Sequence, residues 1–308
     1  MKKLFTFLML LSVISFAVVS CDQIEPTSKE NTENTGKEND QNEPNTPDEP
    51  DTPDTPDEPN EPDTPDTPDE PNEPDTQDEE GPYDNLSPQN QSWALCLYYT
   101  YNTCYYCGQW GHSALESAVN VGNTVGVAIK ISPDPEAIPT QLYWSFHDDR
   151  PLNGGAPTLY AGDLCKDNSA ASYCRQLVNR TCSIGIDAQQ EIEGNTLSLH
   201  VKTKNFTNIN ASDYYIVAYL LEDDLRYSQY GSSSNLHNFV LRRASSGAVY
   251  YGEQLMTDGS VDAEFTKTFS FDVSQYNKDN CYAAVVIYKK GGSGLPEYKF
   301  ENCFWTRK

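Results

Sequence analysis

Apolar and polar positions divide the chain into stretches of different character. Leu4 to Val19 is a nearly unbroken apolar run behind Lys2 and Lys3. It is short for a bilayer core and polar sequence follows at once, which is the pattern of an export signal over residues 1–20. From Asp22 to Pro82 apolar residues all but vanish. Patterning returns with "WALCLYYTY" (Trp93–Tyr101), apolar and aromatic enough to predict a buried strand. In "SALESAVN", Ala114, Leu115, Ala118 and Val119 fall at helical spacing, and "TVGVAIKIS" (Thr124–Ser132) predicts a β-branched strand. "GGAPTLYAG" (Gly154–Gly162) and a helix-like "SAASYCRQLVNR" close this β-α-β piece, residues 83–180. From Thr181 onward only strands and turns follow, among them "TLSLHVKTK", "DYYIVAYLLED", "EFTKTFSFDV" and "CYAAVVIYKK". Their spacing, with period-2 alternation in "TLSLHVK" and "FTKTFSFDV", predicts an all-β antiparallel sandwich of immunoglobulin-like type over residues 181–308.

Charge sharpens the picture of residues 21–82. The repeat "DTPDTPDEPNEP" occurs at Asp51–Pro62 and again at Asp63–Pro74. Between Asp22 and Pro82 there are 23 acidic residues against Lys29 and Lys37, so most of the chain's net charge of −25 lies here. Such a stretch buries too little apolar surface to offset the entropy of ordering. Proline and like-charge repulsion predict an extended, disordered stalk, reaching on the order of 190 Å at about 3.1 Å per residue. From Tyr83 on, 23 acidic and 17 basic residues are mixed, without the clustered basic face that nucleic acid requires. "VVSC" at the end of the apolar run resembles the lipobox of bacterial lipoproteins. It implies lipidation at Cys21 and a membrane partner through that anchor.

With Cys21 set aside, eight cysteines remain in an exported chain, which predicts up to four disulfides. Gly291–Gly294 ("GGSG") reads as the centre of a hairpin. That places Cys281 and Cys303 nearly opposite, and a disulfide there would contribute about 3 kcal/mol. Cys104 and Cys107 form a Cys-x-x-Cys pair at a strand-to-helix turn, which resembles the thioredoxin-like fold. "APT" at Ala156–Thr158 is similar to that fold's cis-proline element, with Pro157 beside the dithiol. The resemblance implies an α/β thioredoxin-like domain over 83–180. It also gives Cys104 the role of attacking thiolate and Cys107 that of resolver. Cys96, Cys165, Cys174 and Cys182 allow three connectivities. The resemblance favours Cys96–Cys165, leaving Cys174–Cys182.

The chain departs from the redox pattern between its cysteines. Tyr105–Tyr106 is bulky and neutral, Thr103 precedes the pair, and Thr100–His112 carries no Lys or Arg to stabilise a thiolate. Cys104–Cys107 is therefore expected to be a disulfide that is mainly structural. Zinc at the pair would need further ligands, and there is no second Cys-x-x-Cys. "FHDD" (Phe146–Asp149) reads as a solvated loop rather than a catalytic group. "TDGSVDAE" spaces Asp258, Ser260, Asp262 and Glu264 alternately but lacks the glycine position of an EF-hand calcium loop. No cofactor or metal is expected.

The layout resembles the outer membrane protein 28 family, surface lipoproteins of gut and oral anaerobes. Glu222–Asp223, His237–Asn238 and Val240–Arg242 carry the most specific part of the likeness. It implies an outer-membrane, surface-exposed protein with a receptor or adhesin role. Tyr105, Tyr106 and Trp110 crowd the dithiol, and Tyr227 and Tyr230 lie in a Ser/Gly/Asn-rich loop. Such residues suit contact with a protein or glycan ligand. Two functions stay open: a binding module, which is preferred, and a thiol–disulfide oxidoreductase.

Overall fold

The computed structural model describes residues 80–255 and 258–307. The export signal, Cys21 and the acidic repeats lie outside the described residues. The first part runs β1 (Ala94–Thr100), α1 (His112–Val119), β2 (Thr124–Lys130), α2 (Thr140–Asp149), β3 (Thr158–Ala161), β4 (Leu164–Cys165) and α3 (Ala170–Val178). The second runs β5 (Ile184–Glu193), β6 (Thr196–Asn205), β7 (Tyr214–Glu222), β8 (Leu225–Arg226), β9 (Leu236–His237), β10 (Val240–Ala244), β11 (Glu253–Gln254), β12 (Glu264–Asp272), β13 (Cys281–Lys290) and β14 (Tyr298–Trp305).

Most strands join one sheet in the order β14-β13-β7-β10-β2-β1-β3-β4, with β11 on β7. β1 and β2 are parallel and β3 runs antiparallel to β1. The change of element type at 180/181 is therefore not a break between sheets. β10 reaches across it to lie parallel beside β2, with Val240 opposite Ala128.

Side-chain alternation explains the layering. Leu95, Leu97 and Tyr99 of β1 enter one core together with Val217 and Tyr219 of β7, Val286 and Tyr288 of β13, and Leu142 and Phe146 of α2. This core therefore draws on both parts of the chain. Ala94, Cys96 and Tyr98 face the other way, into a core closed by α1 and α3. Ile216, Ala218 and Leu220 of β7 pack against a separate three-stranded sheet, β12-β6-β5. One continuous sheet is thus covered by helices at one end and by a second β-layer at the other.

The hairpin β13–β14 corrects one expectation. Cys303 pairs with Val286, and Cys281 lies opposite Glu222 of β7. The loop extends to Glu297, with Lys290 opposite Tyr298, and a bulge at Ile287/Tyr288 shifts the register further. Cys281 is five residues from Val286, about 17 Å along the strand, which is too far to bridge. Cys96 and Cys165 also do not meet. Leu97, Tyr160 and Cys165 align across β1, β3 and β4, so Cys96 faces the opposite side of the sheet. Cys174 and Cys182 are likewise free.

Candidate functional site

The chain leaves β1 at Thr100 and turns helical from Tyr105, winding one π-helical turn over Cys107–Gly111 before α1. Cys104 and Cys107 are joined, with Cα atoms 5.2 Å apart. The Cys107 N–H donates to Cys104 Sγ at 3.1 Å, and Cys104 Sγ lies 3.3 Å from the Ala156 carbonyl oxygen. The Ala156–Pro157 bond is cis, and Pro157 is buried. Cys104, Cys107 and Pro157 therefore gather at one place.

Solvent does not reach the disulfide freely: Cys104 is 5% exposed and Cys107 is 0% exposed. Both cysteines pack in the helix-side core, and a distant segment, Tyr227–Asn235, crosses the turn that holds them as a strap. Buried Gln229 anchors it, its side-chain N–H donating to the carbonyls of Cys104 at 2.9 Å, Asn102 at 3.1 Å and Tyr101 at 3.3 Å. The Tyr230 N–H donates to Asn102 O at 2.8 Å. The approach is so close that a Cβ on Gly108 would collide with the Tyr230 carbonyl, and one on Gly231 with the Tyr105 carbonyl.

The base of the strap is clamped by the residues singled out at Glu222–Asp223 and His237–Asn238. The Phe239 N–H donates to Asp223 Oδ1 at 2.7 Å, and the Asp224 N–H to Asn238 Oδ1 at 3.0 Å. Arg242 pairs with Glu222 at 3.3 Å and Arg307 with Asp223 at 2.7 Å.

Beneath the strap sits a polar cluster. Buried Lys130 ends β2 and donates to Asn102 Oδ1 and, at 3.0 Å, to His237 Nδ1. His237 Nε2 then donates to the Tyr227 carbonyl at 3.0 Å, tying the cluster to the strap. Asp134 accepts the Asn102 N–H at 2.7 Å, and buried Glu136 faces the Asn102 amide. Burial pulls Lys130 down to about 8, against the opposing pull of Glu136 and Asp134. Burial, then the neighbouring His237 and Lys130, pulls His112 down to about 3. The cavity among Tyr98, His112, Lys130 and His237 is about 20 Å³, room for a water molecule rather than a substrate.

These shifts set a pH dependence. An unfolded histidine takes up a proton near its ordinary value of about 6.5, whereas folded His112 does so only near 3. The unfolded state binds more protons in that window, so stability falls as pH drops from 6.5 toward 3. The expected loss from this group between pH 7 and 4 is about 3 kcal/mol. Urea midpoints at pH 7, 5 and 4 check it. His112→Gln should flatten the slope relative to the parent protein.

Of the aromatic residues flagged in the sequence, three come together. Tyr105 (43% exposed), Tyr106 (58%) and Tyr230 (63%) form one exposed patch above the buried disulfide. Ring centroids are 5.4 Å apart for Tyr105–Tyr106 and 5.2 Å for Tyr105–Tyr230. Trp110 and Tyr227 are half-buried; Trp110 packs on the helix-side core, and Tyr227 lies against His237. Asp149 of "FHDD" is buried, accepting from the Tyr298 N–H at 3.1 Å and from the Tyr250 hydroxyl. Asp258 caps a turn by accepting the Ser260 N–H at 2.8 Å, and Asp262 pairs with Lys204 at 2.9 Å. Among the described residues no group of three or more His, Cys, Asp or Glu is arranged to hold a metal ion. No helix among them is long and apolar enough to cross a membrane.

No known family profile matches the chain, and no curated protein matches it. Among solved structures, HBP35 of Porphyromonas gingivalis is similar in fold, with a TM-score of 0.58 at 12% identity over 71% of this chain and 76% of that one. A domain of the outer membrane lipoprotein Omp28 from the same organism aligns over 39% of this chain and 89% of that one. Its identity is 19% and its TM-score of 0.26 is too low to carry an argument.

Proposed function

We propose that the chain is a lipid-anchored, surface-displayed binding module of the outer membrane that contacts a protein or glycan through the patch Tyr105–Tyr106–Tyr230. The observation that carries this reading is the strap. It caps the turn that holds the buried disulfide and sets Tyr230 against Tyr105, completing an uncharged aromatic surface there. Tyrosine provides contact area at low entropic cost, and the serines and Asn235 of the strap add adaptable hydrogen bonding. The strand order β2-β1-β3-β4, with the disulfide at the start of the helical segment, supports reading the first part as a thioredoxin-like scaffold. The β-layer packed on β7 and β13 supports reading the second as a sandwich built onto it. Display at the surface rests on the lipobox and stalk of the sequence, and protease shaving of intact cells tests it.

The binding reading is tested with arrays of neutral glycans and extracellular host proteins, using the stalk-bearing chain and a Tyr105→Ser/Tyr106→Ser/Tyr230→Ser variant. Tenfold or greater loss of the bound signal in the variant is expected. Equal signals from both proteins would overturn the assignment of the patch. The oxidoreductase reading is favoured by one observation, the Cys107 N–H donating to Cys104 Sγ, since that bond would also stabilise a thiolate there.

A further inference from the structure

We propose that Cys96 and Cys174 are a second disulfide site, formed as the exported chain folds. The structure holds both as thiols. Cys96 is the central residue of the β1 face that looks toward the helices, flanked by Ala94 and Tyr98. Cys174 lies one helical turn after Ala170, and these two are the buried residues of α3. Strand and helix pack face to face, and both cysteines are 0% exposed in the same core. The neighbouring Cys174 side chain, followed by burial, raises the Cys96 thiol well above the usual range.

The other free cysteines are engaged elsewhere. The Cys303 thiol donates to Ala94 O at 3.2 Å, that of Cys182 to Asn90 Oδ1 at 3.5 Å, and that of Cys165 to Asp167 at 3.8 Å. Cys281 lies on the face of β13 that meets the three-stranded sheet. Among the described residues Cys96 and Cys174 are the two free thiols of the helix-side core, and Cys303, which also feels Cys174, is held at the Ala94 carbonyl beside it.

Formation joins the two Sγ atoms and releases two protons and two electrons. The electrons pass to the disulfide of an exported thiol oxidant or of glutathione, which leaves as two thiols. Neither thiol is reachable once α3 has docked, and burial suppresses the attacking thiolate. The bond must therefore form while the helix is still free of the sheet. It would close 78 residues of chain, and its loss should lower the thermal midpoint by roughly 10 °C.

The test is peptide mapping of the full chain after unfolding and refolding in a glutathione/glutathione-disulfide buffer, with free thiols alkylated in denaturant and no reductant added afterwards. The expected dominant product links the Cys96 and Cys174 peptides, unchanged in a Cys165→Ser/Cys182→Ser variant. In Cys96→Ala the Cys174 thiol should become fully alkylated. Cys96 and Cys174 both alkylated in the parent protein, or either joined mainly to another cysteine, would overturn the proposal.

Discussion

Replacing Gly231 by alanine is expected to expose the Cys104–Cys107 disulfide to a water-soluble phosphine and raise its reduction rate on the order of a hundredfold. Gly231 has φ +84°, a conformation that costs a residue with a Cβ about 1 kcal/mol or more. The added Cβ would also strike the Tyr105 carbonyl. Overpacking of this kind costs about 1–3 kcal/mol, and each 1.4 kcal/mol corresponds to about tenfold in the open population. Asp224 to Asn238 is an excursion from the large sheet, and the carbonyls it caps, those of Tyr101, Asn102 and Cys104, lie in the turn just after β1. Gly122→Ala is the control: its φ is +85° but its Cβ would meet nothing within 4 Å. Alkylation of Cys104 and Cys107 after timed reduction provides the reading. A Gly231→Ala protein reduced no faster than its parent would show that the strap is not the shield.

Arg150→Ala is expected to destabilise the protein by about 3–5 kcal/mol, lowering the thermal midpoint by roughly 10 °C or more. Arg150 is fully buried at the end of α2. It donates to Asp163 at 2.7 Å and to the Tyr298 carbonyl at 2.8 Å, and lies 3.6 Å from Asp149. The rings of Tyr250 and Tyr288 stand 5.1 and 5.4 Å from the guanidinium carbon. Alanine removes the cation between two carboxylates and leaves a hole among the aromatic rings. Asp149 keeps its bonds from the Tyr298 N–H and the Tyr250 hydroxyl, which sets the upper end of the loss. Calorimetry and urea melts of both proteins decide it. A loss below about 1 kcal/mol would mean that the cluster relaxes around the gap.

Much of the first part of the fold was legible because its signals are local. The apolar run of β1, the Ala114/Leu115/Ala118 spacing of α1 and the β-branched β2 each carry their own period. The dithiol and Pro157 announce themselves by residue type. Contacts that depend on register and long-range packing were not legible. The Cys281–Cys303 pairing failed because a bulge and a longer loop moved β14 along β13. Cys96–Cys165 failed because a one-residue offset places the two on opposite faces of the sheet. Gln229 is an ordinary polar residue in a loop, and nothing in its neighbours reveals that it caps carbonyls 125 or more residues away. Lys130 offered one sign, a charge closing an otherwise apolar strand. The joining of the two parts through β10 left no trace in composition or period.

The central claim is that the Cys104–Cys107 disulfide is structural and that the protein works by binding. Equilibration of the folded full chain with defined dithiol buffers, together with insulin reduction, tests it most directly. A buried, capped disulfide should have a potential below about −300 mV and give no insulin turnover. A potential near or above about −270 mV, with clear turnover, would contradict the claim and make the dithiol the working part of the molecule.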